Sequence, residues 1–329
     1  MVRRLMLGLA LAGTVTFSSE VCGKRWLSPL GSGIWVGAAT GHPFQAPEDE
    51  WLARPVDDRT FRTHLDFFTY DRRVPFDLKT GATDEEGGVR REHLSLQSTP
   101  GVRVFAHLYQ PPGATIGKSP LLILLHGGSA AGKDSLAPAA RNLARAGYSV
   151  FAMDFQYFGE RSSDLLTTFT EREKHERLYN QPPVYLAWVA QAVKDVSRSI
   201  DALVEHGRAD PKRIGLFGAS RGAVVGAIVA GVDRRLAALV MSYGGHFDLL
   251  ERGHPAVACP ANYMSRISPR PLLMINGTLD TDMVKETSVE PLYRLARPPK
   301  QILWTEGGHM SPSEQNRALT LQWLRENLK

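Results

Sequence analysis

From residue 89 onward the hydrophobic positions fall into short runs that alternate with helical periodicities. Val89–Ser98 and Val102–Gln110 read as two strands joined by a Pro-Gly turn. Leu121–His126 is an apolar run of the kind expected in a strand buried on both faces. Leu136–Ala146 predicts a helix, with Gly147 placed to end it, and Ser149–Asp154 predicts the next buried strand. Within Val189–His206, residues Val193, Val196, Ile200, Leu203 and Val204 recur at helical spacing. Ile214–Ala219 reads as a strand and Gly222–Gly231 as a helix of small residues. Ala237–Ser242, Leu272–Asn276 and Gln301–Trp304 predict further strands, and Glu314–Asn327 a closing helix. Alternation of strands with helices predicts an α/β fold: a mainly parallel central sheet with helices on both faces. The opening hairpin adds antiparallel strands, and the polar, aromatic stretch from Phe155 to Ala190 is placed as a lid-like insertion.

The pattern is weaker before residue 89. Arg3 and Arg4 precede an uncharged apolar run from Leu5 to Phe17, with Thr16 and Ser18 as small residues before a cleavage point at Ser19. Residues 1–22 are therefore expected to be a targeting segment directing export, too short to be a membrane span. Residues 23–88, rich in Gly, Pro and aromatics at first, read as an N-terminal arm, and 89–329 as the main α/β domain.

Composition narrows the classes. With 39 basic against 34 acidic residues the net charge is +5, and no long basic block is present, which argues against a nucleic-acid partner. The two cysteines, Cys22 and Cys259, form no CxxC pair or zinc-ligand cluster. No HExxH or EF-hand pattern occurs, so no metal is expected.

The chemistry concentrates at the ends of the predicted strands. Gly218-Ala219-Ser220-Arg221-Gly222 is a G-x-S-x-G motif that follows an apolar strand and opens a helix. Such a turn exposes the serine oxygen, so Ser220 is the candidate nucleophile. Asp280 follows the strand at 272–276 and His309 follows the strand at 301–304. Open α/β sheets build their sites at this edge. His309 is the candidate base and Asp280 the acid that orients it, with Asp282 as a competitor. Strand 121–126 runs into Gly127-Gly128, so the N–H of Gly128, or of Ser129, is expected to join that of Arg221 as an oxyanion hole. A rival reading takes Gly127 to Lys133 as a phosphate-binding loop with Asp154 as a magnesium ligand. Against it, Asp134 stands where a hydroxyl should be. Tyr157, Phe158, Trp188 and Tyr243 are the candidate substrate contacts, and Arg161 and Arg221 could meet an acidic group.

His126-Gly127-Gly128, Gly218 to Gly222, Gly277 to Asp280 and Gly307-Gly308-His309 together resemble the α/β-hydrolase superfamily. The similarity is to the branch of dienelactone hydrolases and acetyl xylan esterases and to prolyl oligopeptidase-like catalytic domains. It implies a serine hydrolase without cofactor that cleaves a small-molecule ester through an acyl-enzyme. Dienelactone hydrolases proper use Cys, so Ser220 points away from that activity. Amide or peptide hydrolysis on the same triad is the alternative, and a ligand-binding protein on a hydrolase scaffold the non-enzymatic one. Nothing in the pattern sets an oligomeric state.

Overall fold

A computed structural model describes residues 50–328. The expected targeting segment, Cys22 and the first part of the expected arm lie outside the described residues. The elements in chain order are α1 (Glu50–Ala53), α2 (Asp58–Asp66), β1 (Lys79–Glu86), β2 (Val89–Thr99), β3 (Val102–Gln110), β4 (Leu121–Leu125), α3 (Ala137–Arg145) and β5 (Ser149–Met153). There follow α4 (Glu171–Lys174), α5 (Pro182–Glu205), β6 (Ile214–Ala219), α6 (Arg221–Val232), β7 (Leu236–Ser242) and α7 (Ala261–Met264). The chain closes with β8 (Leu272–Gly277), α8 (Glu290–Leu295), β9 (Lys300–Thr305) and α9 (Glu314–Asn327).

The nine strands form one sheet in the order β1-β2-β3-β5-β4-β6-β7-β8-β9. β1 to β3 and β5 pair antiparallel, and every pairing from β5 through β4 to β9 is parallel. β4 shows why the sheet is covered twice. Leu121, Ile123 and Leu125 join the core beneath α5 and α6, whereas Leu122 and Leu124 join the core beneath α3 and α9. Side chains alternate across a strand, so an unbroken apolar run must bury both faces. The helix α6 is apolar all round, and Arg221 to Gly231 are all buried, as such a helix requires. α5 begins seven residues before its expected start, at Pro182, because proline lacks the N–H that a first turn leaves unpaired.

Residues 50–88 contribute more than an arm. Phe61 and Phe68 are buried in the main core, edge-on to Tyr263 at 5.5 and 6.2 Å. β1 adds an edge strand whose Asp84 pairs with Arg91 of β2. Its charged, exposed sequence has no strand-like apolar alternation, since an edge strand with both faces wet needs none. Among the described residues no helix is long and apolar enough to cross a membrane.

Candidate active site

β6 delivers Ser220 into a sharp turn with φ 52° and ψ −121°, a backbone conformation that a side chain rarely adopts. The turn survives because its neighbours over-determine it. Ser220 N–H donates to Ser242 O at 2.8 Å. A Cβ on Gly218 would lie 2.3 Å from Gly222 O, and one on Gly222 would lie 2.3 Å from Leu125 O. Both glycines of the motif are therefore demanded by close backbone approach.

The loops after β8 and β9 bring Asp280 and His309 to this serine. His309 Nε2 lies 2.8 Å from Ser220 Oγ, and Nδ1 lies 2.8 Å from Asp280 Oδ2. The Asp280 side chain is fully buried, and its other oxygen accepts the N–H groups of Asp282 and Met283, both at 2.9 Å. With Nδ1–H donating to the carboxylate, Nε2 is left to accept the serine hydroxyl proton. Asp282 is the weaker competitor: its carboxylate is 56% exposed and lies 4.0 Å from Nε2.

The loop after β4 is organised by His126. This ring is buried, accepts Phe155 N–H at Nε2 (3.0 Å), and so donates from Nδ1 to Gly127 O (2.6 Å). Burial pulls its pKa down to about 4, which keeps it neutral and in this tautomer. In a trans peptide the N–H points opposite to the C=O, so the Gly128 N–H is turned away from the His126 ring. Gly127 abuts Ser220; a Cβ there would lie 3.5 Å from Ser220 Oγ. Gly128 and Arg221 line one cavity with Ser220.

The phosphate-loop reading does not survive. The Lys133 ammonium is buried and pairs with Asp154 at 2.8 Å and Glu160 at 2.5 Å. Asp154 also accepts the Lys133 and Glu160 N–H groups, and Asp134 bonds His107. The Lys133 ammonium is taken up by carboxylates and is not left to hold a phosphate, and Asp154 is not left to hold magnesium.

The cavity above Ser220 has a volume of about 790 Å³. The four expected aromatic contacts are a correction, because none of them lines it. Phe158 and Trp188 are core residues packed near His126 and Phe155, and the Trp188 Nε1–H donates to Gln156 O at 3.0 Å. Tyr243 is buried edge-on to the His309 ring, and Tyr157 packs at the margin of the core. An aromatic-rich insertion must first cover the sheet, and Phe158 and Trp188 do that. Phe169, Tyr179, Leu249, Leu250 and Met310 are among the residues that line it instead. Arg161 does not reach the cavity; it pairs with Asp195 at 2.7 Å.

The wall facing Ser220 and His309 is ionic, and apart from Arg221 its residues carry no motif. The buried Arg221 guanidinium lies over the Tyr179 ring at 4.0 Å and pairs with Asp248 at 2.9 Å and with Glu251. His175 Nε2 meets the same Asp248 at 2.9 Å. Burial alone would raise the Asp248 pKa, but hydrogen bonding from His175 and the Arg221 charge outweigh it and hold it at about 2. Asp248 in turn raises the His175 pKa against the opposing pull of burial. His175, Asp248 and Glu251 bring ligand atoms within 4.8 Å of one another, but the cation those carboxylates already share is Arg221. Lys174 and Glu171 complete this wall. Charged side chains of an insertion or a surface loop read in sequence as a solvated face, so no local signal singled out Glu171, Lys174, His175, Asp248 or Glu251.

Residues 140–320 match the family model described as Serine hydrolase (FSH1). No curated protein sequence matches the chain. Among solved structures, the chain is similar to acetyl xylan esterase 1 from Thermoanaerobacterium sp. (TM-score 0.62, 20% identity, 87% of this chain and 100% of that one). It is also similar to an acetyl xylan esterase from Paenibacillus sp. R4 (TM-score 0.64, 14% identity, 86% and 100% covered). A cold-adapted esterase from an Arctic intertidal metagenomic library follows with TM-score 0.59, 19% identity, and 76% and 98% covered. At these identities the likeness is one of fold, and that fold is the α/β-hydrolase fold.

Proposed function

The chain belongs to the Serine hydrolase (FSH1) family, and from that premise we propose that it cleaves carboxylic esters through an acyl-enzyme. The observation that carries this reading is the unbroken pair of 2.8 Å contacts from Ser220 Oγ through His309 to a buried Asp280. Ser220 attacks the ester carbonyl as His309 Nε2 takes its proton. The negative oxygen of the tetrahedral intermediate is held by the N–H groups of Gly128 and Arg221. Collapse expels the alcohol, protonated by His309, and a water activated by the same ring releases the acid. Asp280 keeps the imidazole in the tautomer that both steps need. The fold neighbours named as esterases support an ester over an amide, and the apolar rim of Leu249, Leu250 and Met310 supports a small-molecule substrate with an apolar portion.

Hydrolysis of p-nitrophenyl esters from acetate to octanoate by wild type and Ser220→Ala tests this. The variant is expected to lose about 10⁴- to 10⁶-fold in kcat. Equal activity in both proteins would remove Ser220 from the reaction. The N-terminal pattern supports export as a second proposal; the mature protein recovered outside the cytoplasm is then expected to begin at Ser19, and retention of Met1 there would overturn it.

A further inference from the structure

Glycine at 127 and 128 lets the backbone approach the nucleophile, but glycine by itself aims nothing, because it populates more backbone conformations than any other residue. A donor that must meet a developing charge has to be held in place before the reaction. The two peptide groups flanking Gly128 are both held from outside. His126 holds the 127–128 peptide through Gly127 O. The 128–129 peptide is held by Lys174, whose Nζ donates to Gly128 O at 3.0 Å. Lys174 arrives from the insertion, 46 residues further along the chain, with its side chain only 4% exposed and its ammonium paired with Glu171 at 2.5 Å. A Cβ on Gly128 would lie 2.7 Å from that ammonium, so glycine at 128 is what admits it.

The insertion is built to keep Lys174 there. Thr170 caps α4 by accepting the Glu173 N–H. The Glu173 carboxylate collects the N–H groups of Thr167, Thr168 and Phe169 and both threonine hydroxyls at 2.7 to 3.0 Å. On the other side of Lys174, His175 is tied to Asp248. The residues on both sides of Lys174 are thus pinned.

We infer that Lys174 is a positioning residue for the oxyanion hole. His126 orients the plane that carries the Gly128 N–H, and Lys174 holds the following plane, so the two together fix φ and ψ of Gly128 and keep the loop from turning that N–H away. This deepens the reading of Ser220 as nucleophile and rests on it. Because the ammonium grips the loop and not the substrate, its loss is felt by the tetrahedral state and not by ground-state binding. The insertion is then a working part of the catalytic unit and not only its cover.

The full-length chain with Lys174→Met or Lys174→Gln tests this, with kcat and KM for p-nitrophenyl acetate taken per site titrated by a fluorophosphonate. Titration counts only folded, competent sites. Lys174→Met is expected to lose about 10- to 100-fold in kcat with KM within about twofold. Lys174→Gln retains an N–H donor and is expected to lose less than about fivefold. Affinity for a trifluoromethyl ketone should weaken in step with kcat/KM. A raised KM at unchanged kcat, or no change in either, overturns the inference while leaving Ser220 in place. Should Lys174→Met fail to fold, Lys174→Gln decides alone: ketone affinity must fall in proportion to its kcat/KM, and a fall in kcat/KM at unchanged affinity sinks the idea. If fluorophosphonate does not label the wild type and Ser220→Ala hydrolyses esters as well as it does, the serine-hydrolase reading falls first.

Discussion

The two sides of the cavity at Ser220 are built by different means. On the sheet side, Ser220, Asp280 and His309 stand on loops that leave the ends of the parallel strands β6, β8 and β9, and backbone geometry does most of the positioning. Ser220 is held by its own strained turn and by glycines that let β4, β6 and α6 nearly touch. On the facing side, residues from the insertion and from the 244–255 loop are held by charge: Arg221 to Asp248 and Glu251, His175 to Asp248, Lys174 to Glu171. Buried ion pairs add little net stability over apolar packing, but breaking one strands its partner's charge. The first side depends on where strands end, whereas the second works as fasteners that break one at a time. Lys174 apart, substitutions on the two sides should therefore separate chemistry from stability.

The largest effect is expected on the sheet side. Asp280→Asn should cost about 10⁴-fold in kcat, because the amide permits the wrong imidazole tautomer, with little change in unfolding free energy. An activity loss below about tenfold would shift the acid role toward Asp282. On the facing side, Asp248→Asn should cost about 2–3 kcal/mol in urea unfolding at pH 7, since Arg221 and His175 lose a shared partner. The Asp248 pKa is depressed from 3.8 to about 2, so its stabilisation is complete above the ordinary aspartate value and lost as pH falls through the depressed one. The gap between wild type and variant should accordingly narrow between pH 4 and pH 2; a constant gap would show that the carboxylate charge is not the source. The smallest effect tests the cavity lining. Phe169→Ala should shift the preferred ester chain length or raise KM severalfold with a modest stability change, because Phe169 faces the cavity. Phe158→Ala should instead cost about 3 kcal/mol of stability with the chain-length optimum unmoved. The reverse pattern would restore Phe158 to the substrate wall.

The parallel part of the sheet and the motif positions were legible because their signals are local. An apolar run such as 121–125, a glycine pair around a serine, and a His shortly past a strand end each declare themselves within a few residues. β1 was not legible, since an edge strand wet on both faces has no apolar alternation to read. The substrate wall was misjudged for a related reason. Aromatic residues of an insertion serve a core or a cavity equally well, and composition does not distinguish Phe158 from Phe169. His175 and Asp248, 73 residues apart, give no hint in sequence that they meet.

The order of strands and helices, the elbow and the candidate triad were determined by the amino-acid sequence, because periodicity and turn chemistry act over neighbouring residues. Which charges pair across the cavity, which aromatics turn inward, and what grips the Gly128 carbonyl were decided by the tertiary structure. Those contacts join segments far apart in the chain, and a buried charge settles on whichever partner the fold brings within hydrogen-bonding reach.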